Sequence, residues 1–140
     1  MATFGEIRDR LVVVLSGVEG VTVVEHPAES PPSALPAVII QEPTVTFAEG
    51  DSRRGLDTWD VPLLLLVPMG DYQLASQALD SYLTRSGPKS IRQAIADSPG
   101  LGLLDGTRAY LDRMEDYGPR VSGDMRMAGA VLHLVVRTSG

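Results

Sequence analysis

The chain of 140 residues contains no cysteine and only two histidines, His26 and His133. Without cysteine there is no disulfide framework, no thiolate nucleophile and no cysteine-ligated zinc. Two histidines leave little from which to build a His-based metal site or proton relay. Aromatic residues make up 5% of the chain against 44% hydrophobic residues, so the core is expected to be aliphatic and rich in Val and Leu. Long apolar runs are missing as well. The longest, "VPLLLLVPM" at Val61–Met69, falls far short of a membrane span. No basic segment at the N-terminus leads into an apolar stretch, so no signal peptide is expected. Acidic residues outnumber basic ones, 18 to 12, and the net charge of −6 argues against a dedicated nucleic-acid-binding surface. These absences leave one soluble domain, made in the cytoplasm, of a length that buries a single core without staples.

What is present reads as alternating helices and strands. Phe4, Ile7, Leu11, Val14, Leu15 and Val18 recur at helical spacing. Thr3 with Glu6 suits a capping box, and Gly17 and Gly20 mark the helix end. "VTVVEH" (Val21–His26) and "AVIIQEP" (Ala37–Pro43) read as short strands around a proline-rich connector. "TVTF" alternates briefly before a polar excursion from Glu49 to Asp57. "TWDVPLLLLVPM" then has the aliphatic character of a central strand covered on both faces, with Pro62 at its beginning or at a bulge. Asp71 is a natural cap for a helix carrying Leu74, Ala75, Ala78, Leu79, Tyr82 and Leu83. A shorter helix carries Ile91, Ala94 and Ile95. Two strands, roughly Thr107–Tyr117 and Met125–Thr138, follow around the turn-rich "GPRVSGD". The order α-β-β-β-α-α-β-β predicts an α+β fold, with a mixed or mainly antiparallel sheet of four to five strands and helices packed on it.

Chemical motifs are sparse. "SGPKS" (Ser86–Ser90) lacks the G-x-x-x-x-G-K-[ST] spacing of a phosphate loop and follows a helix rather than a strand. It reads instead as a helix start, with Ser86 or Gly87 as cap and Pro88 at the first helical position. His133 falls mid-strand, opposite the Ala128/Ala130/Leu132/Leu134/Val136 row, as a hydrogen-bonded sheet residue would. Asp112 and Asp116 would share a strand face, interleaved with Arg108 and Arg113, in the manner of a solvated face. Glu25, His26 and Glu29 do not follow a metal-ligand spacing. Ser16 and Ser122 precede glycines but lack a G-x-S-x-G elbow. On the long polar excursion, Asp51, Arg53 and Arg54 are either a solvated tip or a finger that docks on a partner.

The stretch "WDVPLLLLVPMGDYQLASQALDSYLTRSGPKSIRQAIADSPGLG" (Trp59–Gly102) carries a recognisable order. A D-V-P strand with its aliphatic run precedes a helix bearing "LDSYL". Then come "SGPKSIRQAI", an acidic-proline-glycine stop, a strand, "YG" at Tyr117–Gly118 and a last apolar strand. With the opening helix and the proline-rich segment Pro27–Pro36, this resembles the tail terminator (tail completion) proteins of long-tailed phages. It is the version common among phages of actinobacteria, and the similarity spans nearly the whole chain.

The resemblance implies a structural protein of the virion tail or neck, assembled in the host cytoplasm. It implies a homo-oligomeric ring, hexameric in that family, seated on the last ring of the major tail tube protein. The ring ends tube polymerisation and presents the docking surface for the head–tail connector or stopper. Genomic DNA would pass through the lumen without specific binding, in keeping with the acidic charge. No cofactor, metal, catalytic residue or membrane contact is implied. The expected partner contacts are Asp51, Arg53 and Arg54. Two other assignments stand beside it: a neighbouring neck component (stopper or adaptor), and a small α+β hydrolase or ligand-binding enzyme using His133 with Asp112 or Asp116.

Overall fold

The computed structural model describes residues 3–25, 34–47, 56–103, 106–122 and 125–139. The first helix, α1 (Phe4–Leu15), begins on the expected capping box: Thr3 Oγ1 accepts from Glu6 N–H at 3.3 Å, and the Glu6 carboxylate returns to the Thr3 N–H. Ile7, Leu11 and Leu15 form its buried stripe. It ends one turn before Val18, which is buried all the same from the turn that follows.

Four strands come next: β1 (Thr22–Val24), β2 (Ala37–Ile40), β3 (Thr44–Thr46) and β4 (Leu56–Pro68). Helices α2 (Tyr72–Leu83) and α3 (Ile91–Ala96) lead into the hairpin of β5 (Arg108–Ser122) and β6 (Met125–Ser139). Asp71 caps α2 as expected, accepting from Gln73 N–H at 2.9 Å. The sheet order is β1-β2-β4-β6-β5, with β3 also paired to β4. Among the described residues β1 and β2 pair in parallel and the other strand pairs are antiparallel. The α+β class and mixed sheet follow the expectation. The strand count does not, since the sheet has six strands. The addition is β3, whose Thr44-Val45-Thr46 lies against Asp60, Trp59 and Thr58.

Pro62 lies inside β4 rather than at its beginning, paired with His133. Its carbonyl accepts from Gln41 N–H at 3.0 Å, so the backbone groups of residue 62 face the junction between β2 and β3. Gln41 lies just past the end of β2, so the N–H that the proline lacks is missing from no described pair of the β2–β4 or β3–β4 ladders.

The helices cover one face of the sheet. Val61, Leu63, Leu65 and Val67 of β4, with Ala128, Leu132, Leu134 and Val136 of β6, meet the apolar stripes of all three helices. The other face carries no helix among the described residues, which corrects the expectation of a strand covered on both sides. There Ile39, Leu66 and Met127 gather into a second, smaller cluster with Val24, Leu35 and Leu64. The "GPRVS" segment, expected as a turn, belongs to β5, which runs on to Ser122 past two register irregularities. At the second of these Asp116 sits at φ 57°, a left-handed conformation that an aspartate tolerates.

Gly129 of β6 lies on the helix-free face, crowded by Leu65 and Leu66 of β4 and Arg120 of β5. A methyl group there would come 2.8 Å from the Leu65 carbonyl oxygen, 2.8 Å from Leu66 Cδ2 and 2.9 Å from Arg120 Nε. Gly129→Ala is therefore expected to destabilise the fold by about 1–3 kcal/mol, the usual cost of overpacking. Urea denaturation measured against the wild type reads it directly.

Candidate interaction surface

His133 projects from β6 onto the helix-free face, as the alternation demands. Its partners are not the two aspartates that strand alternation suggested. Nδ1 lies 3.1 Å from Asp60 Oδ1 on β4, and Nε2 lies 3.6 Å from Glu115 Oε2 on β5. Asp112 falls at the first irregularity of β5 and Asp116 at the second, so the two do not share a regular strand face. Arg113 is held between its neighbours, with Nη1 2.9 Å from Asp112 and Nε 2.5 Å from Glu115. The result is a band of paired charges across three strands. With the side chains of Asp112, Arg113 and Glu115 each nearly half exposed, it is a solvated ion network, worth little to stability. Among the described residues no group of three or more His, Asp or Glu side chains is placed to hold a metal. His26 and Glu29 of the sequence trio lie outside the described residues.

The "SGPKS" segment has its donors committed elsewhere. Gly87, at φ 119°, donates its N–H to Gln93 Oε1 at 2.6 Å. The cap of α3 is Ser90, not Ser86 or Gly87, because its hydroxyl accepts from Gln93 N–H at 3.0 Å. Pro88 precedes the helix rather than opening it, and its carbonyl accepts from Glu19 N–H at 2.9 Å. Lys89 turns toward the Tyr82 ring, its Nζ 6.0 Å from the centroid.

What the surface does offer is two unlike sheet edges. On one side β5 is unpaired along its outer length among the described residues. Its start, Arg108–Leu111, borders a groove of about 300 Å³ lined by Arg85, Arg92, Ile95, Ala109 and Leu111. A second hollow of about 270 Å³ continues from Leu111 and Arg92 to Leu83, Met114 and Leu132. Arg137 on β6 lies over the exposed Tyr110 ring at 6.0 Å, and register places Arg108 directly opposite Arg137. Basic groups thus gather at this end of an acidic chain, and a like-charge pair faces itself across the hairpin. On the other side, among the described residues, the lower stretch of β4 is covered by β3 alone. Just past β3, Phe47 is 60% exposed, a large apolar side chain that the described residues leave uncovered. Which strands form these edges is not readable from the sequence. The partner candidates it did name, Asp51, Arg53 and Arg54, lie outside the described residues.

No family model matches the chain, and no curated protein matches it. Among solved structures, it is similar to a chain from the virion of a native gene transfer agent (GTA) particle. The TM-score is 0.47 at 17% identity, over 93% of this chain and 84% of that one.

The Arg113 hydrogen bond holds the Glu115 carboxyl below its ordinary value of 4.5. A carboxylate lowered in the folded state stabilises above that ordinary value and loses its effect as pH falls through the lower folded one. Glu115→Gln is therefore expected to shift the urea midpoint slightly downward at pH 7, with the two proteins converging in acid below pH 4.5. A difference that persists unchanged at pH 3 sinks this account.

Proposed function

We propose that this chain is a structural protein of a phage-like virion, a tail terminator whose ring caps the tail tube. The sequence resemblance, carried by the order and spacing of elements along nearly the whole chain, supports the family. Among features of the fold, one observation carries the reading: a single sheet with two different edges unpaired among the described residues, β5 on one side and, on the other, β3 along the lower part of β4 with β1 above it. A head-to-tail contact between unlike surfaces closes into a ring when its rotation divides the circle. An edge that meets a copy of itself would instead give a closed dimer. The charged side chains and irregularities along β5 limit uncontrolled pairing, as exposed edges require.

In this proposal the ring is hexameric, sits on the last ring of the tail tube protein and receives the head connector on its other side. Asp51, Arg53 and Arg54, on the segment joining β3 to β4, are the proposed contacts to a neighbouring ring. The lumen lets DNA slide rather than stick, which a bore dominated by Arg side chains would contradict.

Light scattering and negative-stain imaging of the protein mixed with purified tail tubes are expected to give rings on tube ends. A protein that stays monomeric and leaves tube ends bare contradicts the assignment. Arg53→Glu combined with Arg54→Glu is expected to leave the melting temperature unchanged while impairing tail joining or length control. Normal infectious particles from that double variant remove these residues from the interface.

A further inference from the structure

Resting on the ring reading, we infer which edges meet and in what register: β3 of one copy pairs antiparallel with the Arg108–Leu111 stretch of β5 in the next. Direction comes from the topology. β3 is antiparallel to β4, β4 to β6 and β6 to β5, so β3 and β5 run in opposite senses within one sheet. Copies set side by side with their strands kept parallel to the ring axis therefore bring these two edges together as an antiparallel pair.

Register follows from the same ladders. Thr46 is level with Thr58, Arg137 and Arg108; Val45 with Trp59, Val136 and Ala109; Thr44 with Asp60, Val135 and Tyr110. A level approach thus sets Thr44 opposite Tyr110 and Val45 opposite Ala109 of the next copy.

Two features agree with this register. The first is the facing of side chains. Val45 pairs with Trp59, which stacks on Phe4 of α1, so Val45, and Phe47 by alternation, lie on the helix side. In a sheet continued across the contact they meet Ile95, Ala109 and Leu111, the apolar wall of the groove that Arg85 and Arg92 also line, on the helix side. The exposed phenyl group finds cover there. The second is shape. Beyond β3 the sheet widens to β2 and β1, so a straight β5 would run into the neighbour's upper half. The irregularities at Leu111–Arg113 and Glu115–Gly118 begin where the regular pairing stretch ends. Such features bend a strand and turn it aside.

The absence of cysteine gives a clean test. Thr44 and Tyr110 lie three strand spacings apart within one chain, roughly 14 Å, beyond the reach of a disulfide. Any bond between cysteines at these positions joins two copies. Thr44→Cys with Tyr110→Cys, oxidised on tail tubes, is expected to give a ladder on non-reducing gels that ends at the ring size. A control pair, Thr44→Cys with Met125→Cys at the far end of the hairpin, is expected to give none. Phe47→Ala is expected to weaken assembly about tenfold or more without changing the melting temperature. Wild-type rings with no ladder, or with an equal ladder from the control pair, overturn the register and leave the ring. The absence of any wild-type ring overturns both.

Discussion

The ladder between β4 and β6 is the constraint on which the rest of the molecule depends. All 13 residues of β4 have a partner on β6. That length fixes the alternation over the whole centre of the sheet at once, because a shift by one residue would turn every core leucine outward. From it follows the division of labour between faces: Val61, Leu63 and Leu65 toward the helices, Asp60, Pro62 and Leu64 away. The helices have somewhere to pack because this ladder presents one continuous apolar surface. The edges exist because the ladder leaves β5 outermost on one side and β3 outermost on part of the other.

Much of this was legible locally, and the failures share a cause. Thr3 with Glu6 and Asp71 were readable as caps because a cap is made by residues within one turn of each other. The facing of His133 was readable because alternation within a strand is a local rule. Its partners were not, since Asp60 and Glu115 reach it from other strands. Asp112 and Asp116 misled for the same reason: the irregularities that separate them arise from pairing with β6. β3 has three residues, too few for periodicity to distinguish a strand from the start of a loop. Ser90 displaced Ser86 and Gly87 as cap of α3 because its hydroxyl also reaches the Thr84 carbonyl, a bond across the corner.

The surface lay further from view than the fold. An edge is defined by what does not pair with it, and no single segment of sequence records that. The hypothesised enzyme needed His133 beside Asp112 or Asp116; the structure gives it neither and uses it to tie three strands together. The ring proposal instead draws on parts that a catalytic search ignores: a bare phenyl group, an apolar groove and a strand that turns away midway.

Pro62 also bears on how the chain finds its fold. A sheet strand with four consecutive leucines, Leu63–Leu66, has a sequence that looks much the same after a slip of two residues. Such a slip preserves which face is apolar and so escapes the penalty that punishes a slip of one. It would, however, carry the proline off the gap between β2 and β3 and set it against a strand awaiting an N–H donor. The one residue in the interior of β4 that cannot donate thereby selects among otherwise near-equivalent alignments, so that a missing hydrogen serves as the index mark of the sheet.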